Sequence, residues 1–146
     1  MAYEQLDLDA QLCFPLHAAT RAVTRAYSTL LAESGLTYTQ YLVMLALWKD
    51  LEPLSIGELG TRLRLDSGTL TPLLKRLEAA GHLHRVRSAA DERRVLISLT
   101  EQGIALRETV ADVPERMAVA VGLDERRAAQ LRGLLAEVME SLDRVG

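Results

Sequence analysis

The residues between Arg62 and Arg94 have the clearest chemical potential in the chain. They include eight basic and four acidic side chains, a net charge of +4, whereas the whole chain carries −3. The other residues together therefore carry −7. A basic patch on an otherwise acidic protein is the electrostatic pattern of a nucleic-acid-binding surface.

The apolar residues of this segment predict a helix that leaves polar side chains exposed. Asp66 and Ser67 are suitable N-caps, and Gly81 suits the residue after the last turn. One apolar face is formed by Leu70, Leu73, Leu74 and Leu77, which recur at helical spacing. The exposed start of such a helix presents groups that contact phosphates and base edges, here Ser67, Thr69, Thr71, Lys75 and Arg76. A solvated surface helix is the alternative interpretation.

The sequence after Gly81 predicts two short strands, His82–Ser88 and Val95–Leu99, joined by a charged loop. A helix followed by a basic β-ribbon predicts a winged helix-turn-helix, which places its second helix in the DNA major groove. We expect the ribbon to reach the flanking backbone through its basic side chains, Arg85, Arg87, Arg93 and Arg94. His82 and His84 would add positive charge at lower pH.

Cys13 is the single cysteine of the chain. Its thiolate would be a nucleophile, and the positive end of a helix dipole would favour that charged form. A lone cysteine is more often an inert small hydrophobe, so both interpretations stand at this point. One cysteine and three widely spaced histidines predict no metal site, and no cofactor is expected.

Further helices must position these groups. A long helix is predicted from Leu12 to Ser34, ending at Gly35, and an almost wholly apolar helix over Tyr41–Lys49 should lie at the buried centre. Capping-box patterns at Thr37–Gln40 and Ser55–Glu58 begin two helices, the second being Ile56–Leu63. These are followed, after the ribbon, by a helix capped by Thr100 that Pro114 interrupts and a last helix capped by Asp124.

The last helix carries more apolar surface than a small DNA-binding head needs to cover, at Leu131, Leu134, Leu135, Val138 and Leu142. An exposed apolar stripe of this size usually marks an interface. We therefore expect the first helix and the C-terminal helices to form a homodimer. In the alternative, these helices pack only on their own chain.

With 146 residues, the chain is long enough for one domain with a real core. Its acidic beginning lacks the apolar segment of a signal peptide, and no apolar run reaches transmembrane length. A single cysteine fits a reducing compartment, so a cytoplasmic protein without membrane contact is expected.

The order of elements resembles the MarR family of dimeric winged-helix transcriptional regulators over nearly the whole chain. The sequence Ser88-Ala-Ala-Asp-Glu-Arg-Arg-Val-Leu-Ile-Ser-Leu-Thr is similar to the wing signature of that family. The resemblance implies that Arg93 enters the minor groove while Asp91 holds the loop. It also implies a mainly α fold with a small β-wing over residues 1–146. Residues 36–100 would form the DNA-binding part on a pseudo-palindromic double-stranded operator, and residues 8–35 and 101–146 the dimerisation helices.

Three segments resemble the OhrR subgroup, the organic-hydroperoxide sensors. They are Leu8-Asp-Ala-Gln-Leu-Cys-Phe14, Leu36-Thr-Tyr-Thr-Gln-Tyr-Leu-Val-Met-Leu45 and Leu65-Asp-Ser-Gly-Thr-Leu-Thr-Pro-Leu-Leu74. The third extends the implied DNA-binding set to Gly68 and Pro72. The resemblance implies that Cys13 is the oxidised sensor and that Tyr27 and Tyr38 donate hydrogen bonds to its thiolate. Since the chain lacks a second cysteine, a low-molecular-weight thiol is the implied partner of the oxidised sulfur.

Cys13 and Tyr27 lie 14 residues apart on one predicted helix. They are therefore separated by about 21 Å, at an α-helical rise of about 1.5 Å per residue. If both belong to one pocket, Tyr27 must come from the partner subunit. The hypothesis is a repressor released by organic hydroperoxide, not an enzyme. Its alternatives are a MarR-type regulator with a small phenolic or aromatic ligand in the dimer crevice, a thiol peroxidase, and a winged-helix module that binds protein.

Overall fold

The structure, a computed structural model, describes residues 3–146 and is mainly helical with one small sheet. The seven helices in this range are α1 (Cys13–Leu30), α2 (Tyr38–Trp48), α3 (Ile56–Leu63), α4 (Ser67–Ala79), α5 (Glu101–Val110), α6 (Val113–Val121) and α7 (Glu125–Asp143). The strands there are β1 (Leu54–Ser55), β2 (Leu83–Arg87) and β3 (Val95–Leu99). The predicted winged helix-turn-helix architecture is confirmed.

The sheet is antiparallel, with the strand order β1-β3-β2. Arg85 lies opposite Ile97 in the ribbon, and Leu54 pairs with Ile97 on the other side of β3. The sequence analysis predicted the two ribbon strands but missed β1. A strand of two residues is too short to produce the alternation by which strands are recognised.

Local capping explains where most helices begin. Thr37 and Ser55 form complete capping boxes with Gln40 and Glu58. The side chains of Asp66, Thr100 and Asp124 accept hydrogen bonds from backbone N–H groups three residues further on. Each side chain satisfies a donor that the first turn leaves unpaired, so the predicted caps are confirmed. Helix α2 begins directly after its cap, at Tyr38, and not at Tyr41 as predicted.

The first predicted helix is shorter than expected. Helix α1 ends at Leu30, and Ala32–Ser34 forms a separate 3-10 turn before Gly35, which has a φ of 72°. The Ser34 hydroxyl donates to the Leu31 carbonyl at 2.6 Å, a local bond that competes with continuation of the helix. The helix after Thr100 also ends early, at Val110, and Pro114 lies in the first turn of α6.

The turn between α3 and α4 is tight. Arg64 adopts a left-handed conformation, with φ 55° and ψ 42°, and the Leu65 N–H donates to the Gly60 carbonyl at 2.9 Å. A Cβ atom on Gly60 would lie 2.8 Å from the Leu65 carbonyl oxygen, so this close approach needs glycine. The turn thereby fixes α4 relative to α3.

The buried residues come from the elements around α4. All four predicted leucines, Leu70, Leu73, Leu74 and Leu77, are at most 8% exposed. Helix α4 packs against α2, α3 and β2. The apolar helix α2 is buried at Tyr41, Val43, Met44 and Leu47. This core holds the opposite face of α4 towards solvent.

The chain divides into two compact units, one ending at Asp112 and the other running from Val113 to Gly146. The second unit contains α6 and α7, and α7 has no buried residue. Its Leu134 and Leu142 are 60% and 62% exposed. In the part of the chain described, no helix is both long and apolar enough to cross a membrane. The grouping of residues 1–146 as one domain stays a prediction.

His82 is 9% exposed at the base of the ribbon, beside Gln102. Burial lowers the pKa of His82, so this histidine would add to the basic patch only at a lower pH than its ordinary pKa suggests. In the unfolded chain its pKa would be near the ordinary value of about 6.5. Between the two values the unfolded chain binds more protons, so stability is lost as the pH falls through that interval.

We expect the free energy of unfolding, measured by denaturant titration, to decrease as the pH is lowered below about 6.5. His82→Gln should remove part of this decrease. The same substitution at the exposed His84 is the matched control and should leave it in place. An identical pH dependence of stability in wild type and His82→Gln would contradict the prediction.

Candidate functional site

Helix α4 presents one polar face. Thr71 is half-buried, and the exposed residues of the predicted set are Ser67, Gly68, Thr69, Pro72, Lys75 and Arg76. The Asp66 carboxylate caps this face by accepting from the Thr69 N–H at 2.7 Å. That backbone hydrogen bond, followed by one from the Thr69 side chain, lowers the pKa of Asp66. A rigid, well-capped helix start with exposed hydroxyl and basic groups suits contact with a DNA groove.

The tip of the ribbon places Arg93 furthest into solvent. Its side chain is 95% exposed, while its backbone N–H donates to Asp91 Oδ1 at 3.0 Å. Asp91 Oδ1 also lies 3.6 Å from Arg93 Nε. Arg87 Nη1 donates to the Glu92 carbonyl at 2.8 Å and so braces the loop. Asp91 therefore shapes the loop, as the resemblance implies, and leaves Arg93 accessible.

Two further arginines of the predicted DNA-binding set form ion pairs with glutamates of other elements. Arg85 forms an ion pair with Glu78, with an Nη2–Oε1 distance of 3.0 Å. Arg94 Nη2 lies 3.1 Å from Oε1 of Glu58, which also caps α3. The sequence analysis missed the two glutamates as partners. The capping box was the only sequence signal at Glu58, and it accounts for one carboxylate oxygen. Nothing in the neighbouring sequence indicates that the other oxygen meets Arg94, 36 positions away.

Cys13 is the first residue of α1 and is exposed. The N-cap position is Leu12, and no side chain there caps the helix. The N–H groups of the first turn are therefore not satisfied by a capping side chain and present the positive end of the helix dipole near the thiol. The thiol is therefore accessible from solvent at the start of the helix.

Tyr27 and Tyr38 lie together. Their rings stack with centroids 4.1 Å apart, and Tyr41, which the sequence analysis assigned to the core, lies 5.7 Å from Tyr27. Burial raises the pKa of Tyr27, and the neighbouring phenols Tyr38 and Tyr41 raise it further. Burial also raises the pKa of Tyr38. At neutral pH both phenols therefore keep their O–H protons and can donate hydrogen bonds.

The structure separates this tyrosine pair from the cysteine of the same chain. Cys13 and Tyr27 lie near opposite ends of α1, which is continuous from Cys13 to Leu30. Fourteen residues of helix correspond to about 21 Å. The three predicted sensor residues therefore do not form one pocket within a single chain. Among residues 3–146, no cluster of three metal-ligating side chains occurs.

A helix-turn-helix whose second helix is followed by a basic antiparallel ribbon defines a winged-helix DNA-binding protein. The family model described as transcriptional regulator SarA/Rot matches residues 25–110. The chain belongs to this family of transcriptional regulators, which is of the MarR winged-helix type.

Two curated relatives and one solved structure illustrate the similarity. The chain is 43% identical over 143 residues to the organic hydroperoxide resistance transcriptional regulator of Bacillus subtilis, covering 96% of this chain and 95% of that protein. It is 55% identical over 123 residues to the HTH-type transcriptional regulator TtmR of Methylorubrum extorquens, covering 83% of this chain but 63% of TtmR. It thus spans less than two thirds of the length of TtmR.

The structure of reduced AbfR of Staphylococcus epidermidis bound to DNA is 34% identical, with a TM-score of 0.79 and 97% of each chain covered. AbfR has also been solved overoxidised on DNA and with a disulfide formed.

Proposed function

We propose that the protein is a homodimeric repressor that releases its operator when an organic hydroperoxide oxidises Cys13. The exposed position of Cys13 at the uncapped start of α1 carries the proposal, because it gives the thiol both access and a favourable dipole. The similarity to a regulator named for organic hydroperoxide resistance supports it. That AbfR is known in several oxidation states supports a redox signal.

The proposed reaction is a two-electron oxidation of sulfur. The Cys13 thiolate attacks one oxygen of the peroxide, the O–O bond breaks, and the leaving alkoxide takes a proton to become an alcohol. The sulfur becomes a sulfenic acid and loses its negative charge. A small thiol then condenses with it to a mixed disulfide and releases water, because the chain has no second cysteine.

A dimer would bring the separated groups together. If two α1 helices run antiparallel, Cys13 of one subunit meets Tyr27 and Tyr38 of the other. A change at the sulfur then acts on the contact that sets the spacing of the two α4 helices. The two half-sites of an operator lie about one DNA turn apart. A small change in the spacing of the two α4 helices therefore weakens their simultaneous binding.

A gel shift of the wild-type protein tests the proposal, using a duplex that the protein selects from a random pool. Cumene hydroperoxide followed by a small thiol should release the duplex, and dithiothreitol should restore binding. Mass spectrometry should locate the added thiol on the peptide that contains Cys13. Release without modification of Cys13 would refute Cys13 as the sensor, and release only by a phenolic ligand would refute peroxide sensing.

A further inference from the structure

Glu78 uses both of its carboxylate oxygens on one residue of the neighbouring strand. Its Oε2 accepts from the Arg85 backbone N–H at 3.0 Å. Its Oε1 accepts from Nε of the Arg85 guanidinium at 3.0 Å and lies 3.0 Å from Nη2. Glu78 lies in the last turn of α4, and Arg85 is the central residue of β2.

These contacts join α4 to the ribbon at a point beyond the turn that connects the two elements. The turn at Gly81, with a φ of 88°, and the bond from the His82 N–H to the Leu77 carbonyl fix only the start of the strand. The planar guanidinium and the backbone N–H then fix its direction, since both must meet one carboxylate. The side chains of Arg85 and Glu78 are only 30% and 35% exposed, which limits the screening of their ion pair by salt.

The pair also changes the charge available to DNA. The Arg85 backbone N–H and then its side chain hold the pKa of Glu78 below its usual value, so the carboxylate is charged at neutral pH. The positive charge of Arg85 is therefore balanced within the protein. Lys75 and Arg76, in contrast, have no ion pair among the residues that the structure describes.

We propose that Glu78 and Arg85 are positioning residues that set the direction of the β2–β3 ribbon relative to α4, and that Arg85 does not contact a phosphate. Arg93 lies at the far end of the ribbon, so a small rotation at Arg85 displaces the tip from its groove. The proposal rests on DNA binding through α4 and the ribbon, and it replaces the expectation that Arg85 is a DNA contact.

Glu78→Gln separates the two roles by the sign of its effect. Glutamine keeps an acceptor for the backbone N–H but removes the charge that orients the guanidinium. If the pair positions the ribbon, affinity for the selected duplex falls roughly tenfold, the cost of about one base contact, and the salt dependence does not steepen. If Glu78 only masks a phosphate-binding Arg85, Glu78→Gln tightens binding and steepens the salt dependence, which overturns the proposal.

Arg85→Lys is a second, independent variant. Lysine keeps the charge but loses the fork that meets the carboxylate. Positioning predicts that Arg85→Lys binds as weakly as Glu78→Gln, and that the Glu78→Gln, Arg85→Met double variant is no weaker than Arg85→Met alone. Arg85→Lys with wild-type affinity would overturn the proposal, whether or not Glu78→Gln folds.

Two controls keep the causes apart. The ratio of affinities for selected and random duplexes should fall in the positioning variants, whereas a mere loss of folded protein leaves that ratio unchanged. Lys75→Met should lower the slope of log affinity against log salt by about one. An unchanged slope in Lys75→Met refutes the DNA-contacting face of α4 and with it the basis of the proposal. Tighter binding by Glu78→Gln would refute the positioning role of the pair but not DNA binding through α4.

Discussion

Gly103→Ala is expected to destabilise the protein by about 3 kcal/mol or more, because a methyl group at this position has no space. Gly103 is buried in the first turn of α5, and a Cβ atom there would overlap the carbonyl oxygen of His82. That oxygen is backbone and already accepts from the Thr100 N–H at 3.1 Å. Relief therefore requires the start of α5 to move away from the base of the ribbon.

The matched control is Gly133→Ala. Gly133 lies within α7, is exposed, and has no atom within 4 Å of an added Cβ. Alanine should stabilise this helix by up to about 1 kcal/mol, because it favours the helical conformation more than glycine does. Urea titration of the two variants beside wild type measures both effects. Equal stability of Gly103→Ala and wild type would refute the close packing of α5 on His82.

Cys13→Ser is expected to abolish release by hydroperoxide while changing DNA affinity by no more than about twofold, since the side chain is exposed. Serine is nearly isosteric but cannot be oxidised to a sulfenic acid. The Tyr27→Phe, Tyr38→Phe double variant should oxidise at least about tenfold more slowly. Each lost hydrogen bond to a charged sulfur costs roughly 1.5–3 kcal/mol.

Mixing the Cys13→Ser variant with the slow Tyr27→Phe, Tyr38→Phe variant tests where the pocket lies. In a mixed dimer, a pocket built between subunits recovers Cys13 from one chain and both phenols from the other. A pocket formed within one chain stays incomplete in the mixed dimer, since neither chain carries all three residues. In an equimolar mixture with randomly exchanged subunits, we therefore expect fast oxidation of about half of all Cys13 thiols, namely those in the mixed dimers, measured by stopped-flow thiol labelling. Oxidation at the slow rate alone would contradict the assembly proposed for the sensor.

Features set by a few neighbouring residues could be predicted from the sequence. The caps at Asp66, Thr100 and Asp124 and the leucine face of α4 depend on spacings of three and four residues, so their signals are complete within one segment. Predictions were less accurate where a segment was very short, as in β1, or where a local bond ended a helix early, as at Ser34.

The candidate site was predictable as a set of residue types but not as an arrangement. A basic side chain reads the same in the sequence whether it faces DNA or a glutamate, so the pairing of Arg85 and Arg94 became visible only in three dimensions. The distance between Cys13 and Tyr27, in contrast, could be predicted from the sequence. It follows from helical geometry alone, and the continuous α1 agrees with it.

Trp48, the only tryptophan of the chain, lies where α2 meets α5. Its indole Nε1 donates to the Gly103 carbonyl at 2.9 Å, and its ring lies 6.4 Å from that of Tyr41 in an edge-on arrangement. Indole emission depends on hydrogen bonding and on exposure to water. The unlabelled protein therefore carries a built-in fluorophore, whose emission wavelength would report any separation of these two helices in real time.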